Sequence, residues 1–130
     1  MLDEIERKEI INEYFKRVNA GDVEGVFSML APDAVVEDPI GYEPRKGERA
    51  LREYLRFNLV DCQIQDTVEK MVAGQDGRSV AVALTCDSVN YMDPNKSHVK
   101  INCIVTFLVN EQGLIDELRS FWSFKDLETG

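Results

Sequence analysis

The chain is poor in the residues on which much site chemistry depends. It has one histidine, His98, and three cysteines, Cys62, Cys86 and Cys103, in no tight spacing. A histidine-rich metal site and a Ser-His-Asp relay therefore have little support, and no metal is expected. An odd, scattered set of thiols reads as reduced cysteines in a cytoplasmic setting. No apolar run approaches the roughly 18 residues that would suggest a membrane span. The opening MLDEIERKEI is acidic where a secretory leader is basic and then apolar, so export is not expected. Positive charge is scarce too, with 15 Lys and Arg against 24 Asp and Glu and a formal net charge of -9. Such a surface repels a phosphate backbone, which argues against nucleic acid as a partner. Gly21 and Gly47 stand alone and form no phosphate-cradling loop, so no nucleotide cofactor is implied. What remains for chemistry is carboxylates, tyrosines and shape.

The 130 residues are 44% apolar, enough for one core, and the expectation is a single domain over 1–130. Ile5, Ile11, Tyr14 or Phe15, and Val18 recur at three- and four-residue steps, predicting an amphipathic helix from about Glu4 to Asn19. Gly21 suits the left-handed end of that helix, and Asp22 is a candidate N-cap for a second one. Val23, Val26, Phe27 and Leu30 give the second helix its apolar face, and Ala31-Pro32 is expected to stop it. Val35-Val36-Glu37 reads as a short strand leading into the loop Asp38-Pro39-Ile40-Gly41. A third helix is predicted from about Gly47 to Leu59, with Leu51, Tyr54, Leu55 and Leu59 on one stripe.

Beyond residue 60 the period changes from 3.6 to 2. Strands are expected at 64–72, 78–90, 99–109 and 114–124, separated by Asp76-Gly77, Met92-Asp93-Pro94-Asn95 and Asn110-Glu111-Gln112-Gly113. Helices first and a long meander second make an α+β domain with helices on one sheet face. Strands of this length must curl, so the expectation is a strongly curved antiparallel sheet enclosing a conical pocket under three N-terminal helices.

Several segments together resemble a known family. Tyr14-Phe15-x-x-Val18-Asn19-x-Gly21-Asp22, then Met29-x-x-Pro32-Asp33-Ala34-x-x-Glu37-Asp38-Pro39-x-Gly41, resemble the front half of the ketosteroid isomerases. Asn110-Glu111-x-Gly113-x-Ile115 and Phe121-Trp122-Ser123 resemble their ending. On these motifs the chain is identified as a ketosteroid isomerase-like, SnoaL-like member of the nuclear transport factor 2-like superfamily. The resemblance implies a cone-shaped (cystatin-like) α+β fold, pairing of two copies through their sheets, and cofactor-independent chemistry. It also implies a small, mostly apolar carbonyl substrate. Asp38 would take a proton alpha to the carbonyl, Tyr14 would hold the enolate oxygen, and Trp122 would line the pocket. At the position of the family's protonated aspartic acid stands Val105, which donates nothing; one such donor is worth about 2.7–4 kcal/mol in a transition state.

Each candidate has a plainer reading beside the functional one. Asp38 is either a solvated turn carboxylate or a base whose pKa is raised at an apolar mouth. Tyr14 is either a core tyrosine or a phenol aimed at a substrate carbonyl. Asp87 interrupts an apolar strand and shares the parity of the small residues Ala83 and Thr85. Inward, these three would line the pocket, with Asp87 replacing the missing acid or pairing with Asp38 in a hydrolase, cyclase or dehydratase. Outward, they would be surface. Cys103, Val105 and Phe107 alternate along a strand expected to be covered on both faces, one by ligand and one by a second copy. Leu55 and Trp122 complete the expected lining. A non-catalytic module that binds a small ligand or a protein is the remaining alternative.

Overall fold

The computed structural model describes residues 1–129. Helix α1 spans Glu4–Asn19, begun by a capping box between Asp3 and Glu6. Its buried stripe carries Ile11, Tyr14, Phe15 and Val18, and burying each apolar side chain contributes about 1.5–3 kcal/mol. Gly21 takes φ +70°, which lets the chain reverse into Asp22, whose side chain accepts from Gly25 N–H and caps α2 (Val23–Phe27). Helix α2 is shorter than its apolar pattern suggests. Met29 C=O is recruited by Ile115 N–H at 2.9 Å, so the backbone from Leu30 onward enters the sheet as β1 (Leu30–Glu37). Pro32 therefore lies inside a strand, where the register with its neighbour shifts between Leu30 and Val35, a place that tolerates a residue without an N–H.

The remaining elements are β2 (Arg45–Lys46), α3 (Glu48–Arg56) continued by a π-turn over Phe57–Asp61, β3 (Gln65–Ala73) and β4 (Ser79–Val89). After these come β5 (His98–Val109), β6 (Ile115–Phe121), a 3-10 turn (Phe124–Asp126) and β7 (Leu127–Thr129). Three of the short elements, β2, β7 and the 3-10 turn, have too little pattern to be legible in sequence.

The structure corrects the expected cone of strongly curved, purely antiparallel strands. The seven-stranded sheet is open, in the order β2-β1-β6-β5-β4-β3, with β7 pairing β5 beside it. It is also mixed. Only β3 to β6 form the antiparallel meander, whereas β1 runs parallel to β6, as Val35↔Glu117 and Val36↔Leu118 show. The reason is connectivity: β1 precedes α3 and reaches the free side of β6 by a long crossover, which a parallel pair needs and a hairpin does not.

The helices cover one sheet face. Even-numbered residues of β4 (Val80, Val82, Leu84, Cys86) and odd-numbered residues of β5 (Cys103, Val105, Phe107, Val109) form that buried face. Arg7 fastens α1 to the β3–β4 hairpin. It is buried, and its guanidinium donates to Ser79 C=O at 2.7 Å and Gly74 C=O at 3.1 Å.

Candidate active site

Asp38 follows β1 directly, and Trp122 follows β6, the parallel neighbour of β1. That pairing brings the two side chains together: Trp122 Nε1–H donates to Asp38 Oδ1 at 2.7 Å. The Tyr54 hydroxyl, from the last turn of α3, donates to the other oxygen, Oδ2. Both carboxylate oxygens are thus held by neutral donors. Arg45 on β2 adds a second layer, with Nη1 donating to Asp38 C=O at 3.0 Å and the guanidinium lying 5.0 Å from the centre of the Tyr54 ring. Beside this group opens a cleft of about 690 Å³ lined by Tyr42, Glu43, Pro44, Arg45, Lys46 and Ala50.

Tyr14 is buried on the α1 stripe, edge-on to Phe15 and to Phe107 with ring centres 5.2 Å apart in each case. Burial, and then the charges of Asp66 and Asp38, push its hydroxyl well above the usual tyrosine range. Tyr54 is raised in the same way, first by burial and next by Asp38. Both phenols therefore stay protonated, and that of Tyr54 donates to Asp38.

A second carboxylate shares this environment. Asp66, on β3, stands opposite Cys86 on the helix-covered face. Burial pushes its carboxyl up to about 6; a hydrogen bond with the Cys86 thiol opposes the rise, and the charge of Asp38 adds to it. The thiols around it are raised as well, Cys86 by burial and then Asp66, and Cys103 up to about 12 by burial, Asp38 and Asp66. Thiols held protonated in this way are poor nucleophiles.

Of the residues singled out in sequence, Asp38, Tyr14, Trp122, Leu55, Cys103, Val105 and Phe107 lie on the helix-covered side of the sheet. Ala83, Thr85 and Asp87 do not. Their parity on β4 is opposite to that of Val82, Leu84 and Cys86, so they point to the other face. There Thr85 Oγ1 donates to Glu69 Oε1 at 2.7 Å, and Asp87 Oδ1 lies 2.6 Å from His98 Nδ1. Asp38 and Asp87 are therefore not brought into one site. Val105 is buried on the interior face with no polar atom to offer.

Asp66 and Tyr54 escaped the sequence reading. Asp66 shares the parity of Ile64 and Val68, so a lone acid on the apolar side of a strand was the available signal. Tyr54 sits on the apolar stripe of α3 beside Leu51 and Leu55, where only its hydroxyl distinguishes it from core. Among the described residues no group of His, Cys, Asp and Glu is arranged to hold a metal ion, and no helix is long and apolar enough to cross a membrane.

Helices on one face of a mixed sheet, with a hydrogen-bonded Asp–Tyr pair beneath them, define a member of the nuclear transport factor 2-like superfamily. Within it, residues 11–118 match the SnoaL-like domain, and the chain belongs to that family. It is similar to the epoxide hydrolase LasB of Streptomyces lasalocidi, 32% identical over 96% of this chain and 50% of the relative. The chain thus spans about half the length of that protein. The solved structure of SalBIII, an epoxide hydrolase/cyclase-like enzyme with a role in pyran ring formation in polyether salinomycin, superposes with a TM-score of 0.96. It is 43% identical, over 100% of both chains. A steroid Delta-isomerase of Nocardioides simplex is 26% identical over 94% of each chain.

Proposed function

We propose that the chain opens epoxides by general acid–base catalysis on a mostly apolar substrate, as an epoxide hydrolase or cyclase. The observation that carries this reading is the pair of interior carboxylates with unlike surroundings. Asp38 accepts from Tyr54 and Trp122, which suits an ionised base, while burial raises Asp66 to about 6, which suits a proton donor. Asp38 removes the proton of a hydroxyl, either water or an alcohol of the substrate itself. That oxygen forms a bond to one epoxide carbon as the carbon–oxygen bond of the ring breaks. The released oxygen takes its proton from Asp66, aided by the Tyr14 hydroxyl as a hydrogen-bond donor. Water yields a diol, and an internal hydroxyl yields a cyclic ether. Asp38 is left protonated and Asp66 ionised, and a proton exchanged through solvent restores both.

The partner of Asp38 in this reading is Asp66 rather than Asp87. The similarity to SalBIII and LasB supports epoxide chemistry over isomerisation, and so does Val105, which supplies no second donor for an enolate.

The test presents the purified chain with an epoxide bearing an internal hydroxyl and with a plain epoxide in ¹⁸O-labelled water, followed by mass spectrometry. A cyclic ether or a labelled diol is expected from the wild type, and a loss of about 10³–10⁴-fold in Asp38→Asn. Inertness toward both probes, together with rapid conversion of a β,γ-unsaturated 3-ketosteroid followed by ultraviolet absorbance, would overturn the reading in favour of isomerisation.

Pairing of two copies belongs to the same proposal. The outer sheet face exposes Val72, Ile104 and Phe121, and sedimentation is expected to give about twice the 14.8 kDa chain mass.

A further inference from the structure

We propose that Asn19 is a positioning residue for the second carboxylate: its side-chain amide pairs with the backbone of Asp66 and so sets where the Asp66 carboxyl points. The inference rests on the acid–base reading above and deepens it.

Asn19 is the last residue of α1. Its Oδ1 accepts from Asp66 N–H at 2.7 Å, and its Nδ2 donates to Asp66 C=O at 2.9 Å. A single carboxamide thus takes both backbone groups of one residue, as a neighbouring strand would, on the edge of the sheet that β3 leaves free. The neighbouring Gln65 Nε2 donates to Asn19 C=O at 2.9 Å. These bonds have a consequence for the side chain. Because the N–H and C=O of Asp66 turn outward to Asn19, Asp66 and Cys86 form a non-hydrogen-bonded pair of the antiparallel ladder. In that kind of pair the side chains approach most closely. The Asp66 carboxyl is thereby held against the Cys86 thiol and under burial. The other groups that interact with it are Tyr14 from α1, Cys103 from β5 and Asp38 beyond β1. Because Asn19 and Tyr14 share a helix, the same clamp ties the strand of the acid to the helix of the phenol.

Two readouts separate positioning from a purely structural staple. The first is a ¹³C-detected titration of the Asp66 carboxyl, assigned by its loss in Asp66→Asn. It should give about 6 in the wild type and fall toward the ordinary value of about 3.8 in Asn19→Ala, where the carboxyl gains water. The second is the pH–rate profile with the hydroxy-epoxide. A general acid must be protonated, so the rate falls above the pKa of Asp66. In Asn19→Ala that limb moves to lower pH and kcat drops, whereas Asn19→Gln, which keeps a donor and an acceptor, restores part of both. Gln65→Ala removes the adjacent tether and leaves the titration where it is. An unchanged titration in a folded Asn19→Ala protein overturns the proposal whatever the activity. A wild-type profile that is unaltered in Asp66→Asn overturns the acid–base reading instead.

Discussion

Asp38 and Asp66 lie on the same helix-covered side of the sheet, and the protein treats them in opposite ways. Asp38 meets an indole N–H and a phenol O–H, one on each oxygen. Asp66 meets burial, a thiol and the charge of the other acid. The lesson is that protonation is assigned by neighbours, not by residue type. In the proposed reaction two identical carboxyls serve as base and acid, because donors converge on one of them and water is kept from the other. Asp87 is the contrasting third case, an acid on the outer face beside His98, within reach of neither.

The widest separation of the two is expected in activity. Asp38→Asn should lower the epoxide-opening rate by about 10³–10⁴-fold, and Asp66→Asn by about 10²-fold, since an amide still donates a hydrogen bond. The Asp66 variant should also lose the fall in rate above about pH 6, as a full pH–rate profile would reveal. Equal losses with identical profiles would erase the distinction.

Stability offers the next contrast. The Asp66 carboxyl holds its proton up to about 6 in the folded chain and up to about 3.8 when unfolded. Its contribution is therefore complete below about pH 4 and is lost as pH rises through about 6, a fall of about 2–3 kcal/mol. Urea titrations at pH 4 and 7 should show this loss in the wild type and not in Asp66→Asn.

Smaller effects come from the donors on Asp38. Trp122→Phe and Tyr54→Phe each remove one charge-assisted hydrogen bond worth about 1.5–3 kcal/mol, and about ten- to a hundredfold in rate is expected from either. Rates unchanged in both variants would mean that the clasp does not matter. Least of all is expected from Asp87→Asn, which should stay within about 0.5 kcal/mol of wild-type stability in the same urea titrations, with its rate nearly unchanged.

Much of this was legible in the linear chain. The amphipathic stripe of α1 from Ile11 to Val18, the Asp22 cap and the Asp76-Gly77 hairpin are local features, set by residues within a few positions of one another, and the structure has them where the pattern puts them, whereas Ile5, expected on the same stripe, is exposed in the first turn. Strand positions followed from alternation in the same way, and the motifs around Asp38 and Tyr14 marked the family. Helix α2 departed from its local pattern because β6 offered Met29 a hydrogen-bond partner that no nearby residue could reveal.

What the chain alone left open has one physical root. Alternation says that neighbouring side chains on a strand point to opposite faces, but it is unchanged by turning the strand over. Asp87 and Cys86 are therefore equivalent candidates until β3 and β5 lock β4 in register and the helices settle on the even-numbered side. That same choice brings Asp66 inward, and the parallel pairing of β1 with β6 brings Trp122 to Asp38 across 84 positions of chain. Sequence by itself determined the elements and marked one carboxylate. Only the packed sheet decided which second carboxylate joins it, because a strand's inner face is defined by what lies on top of it.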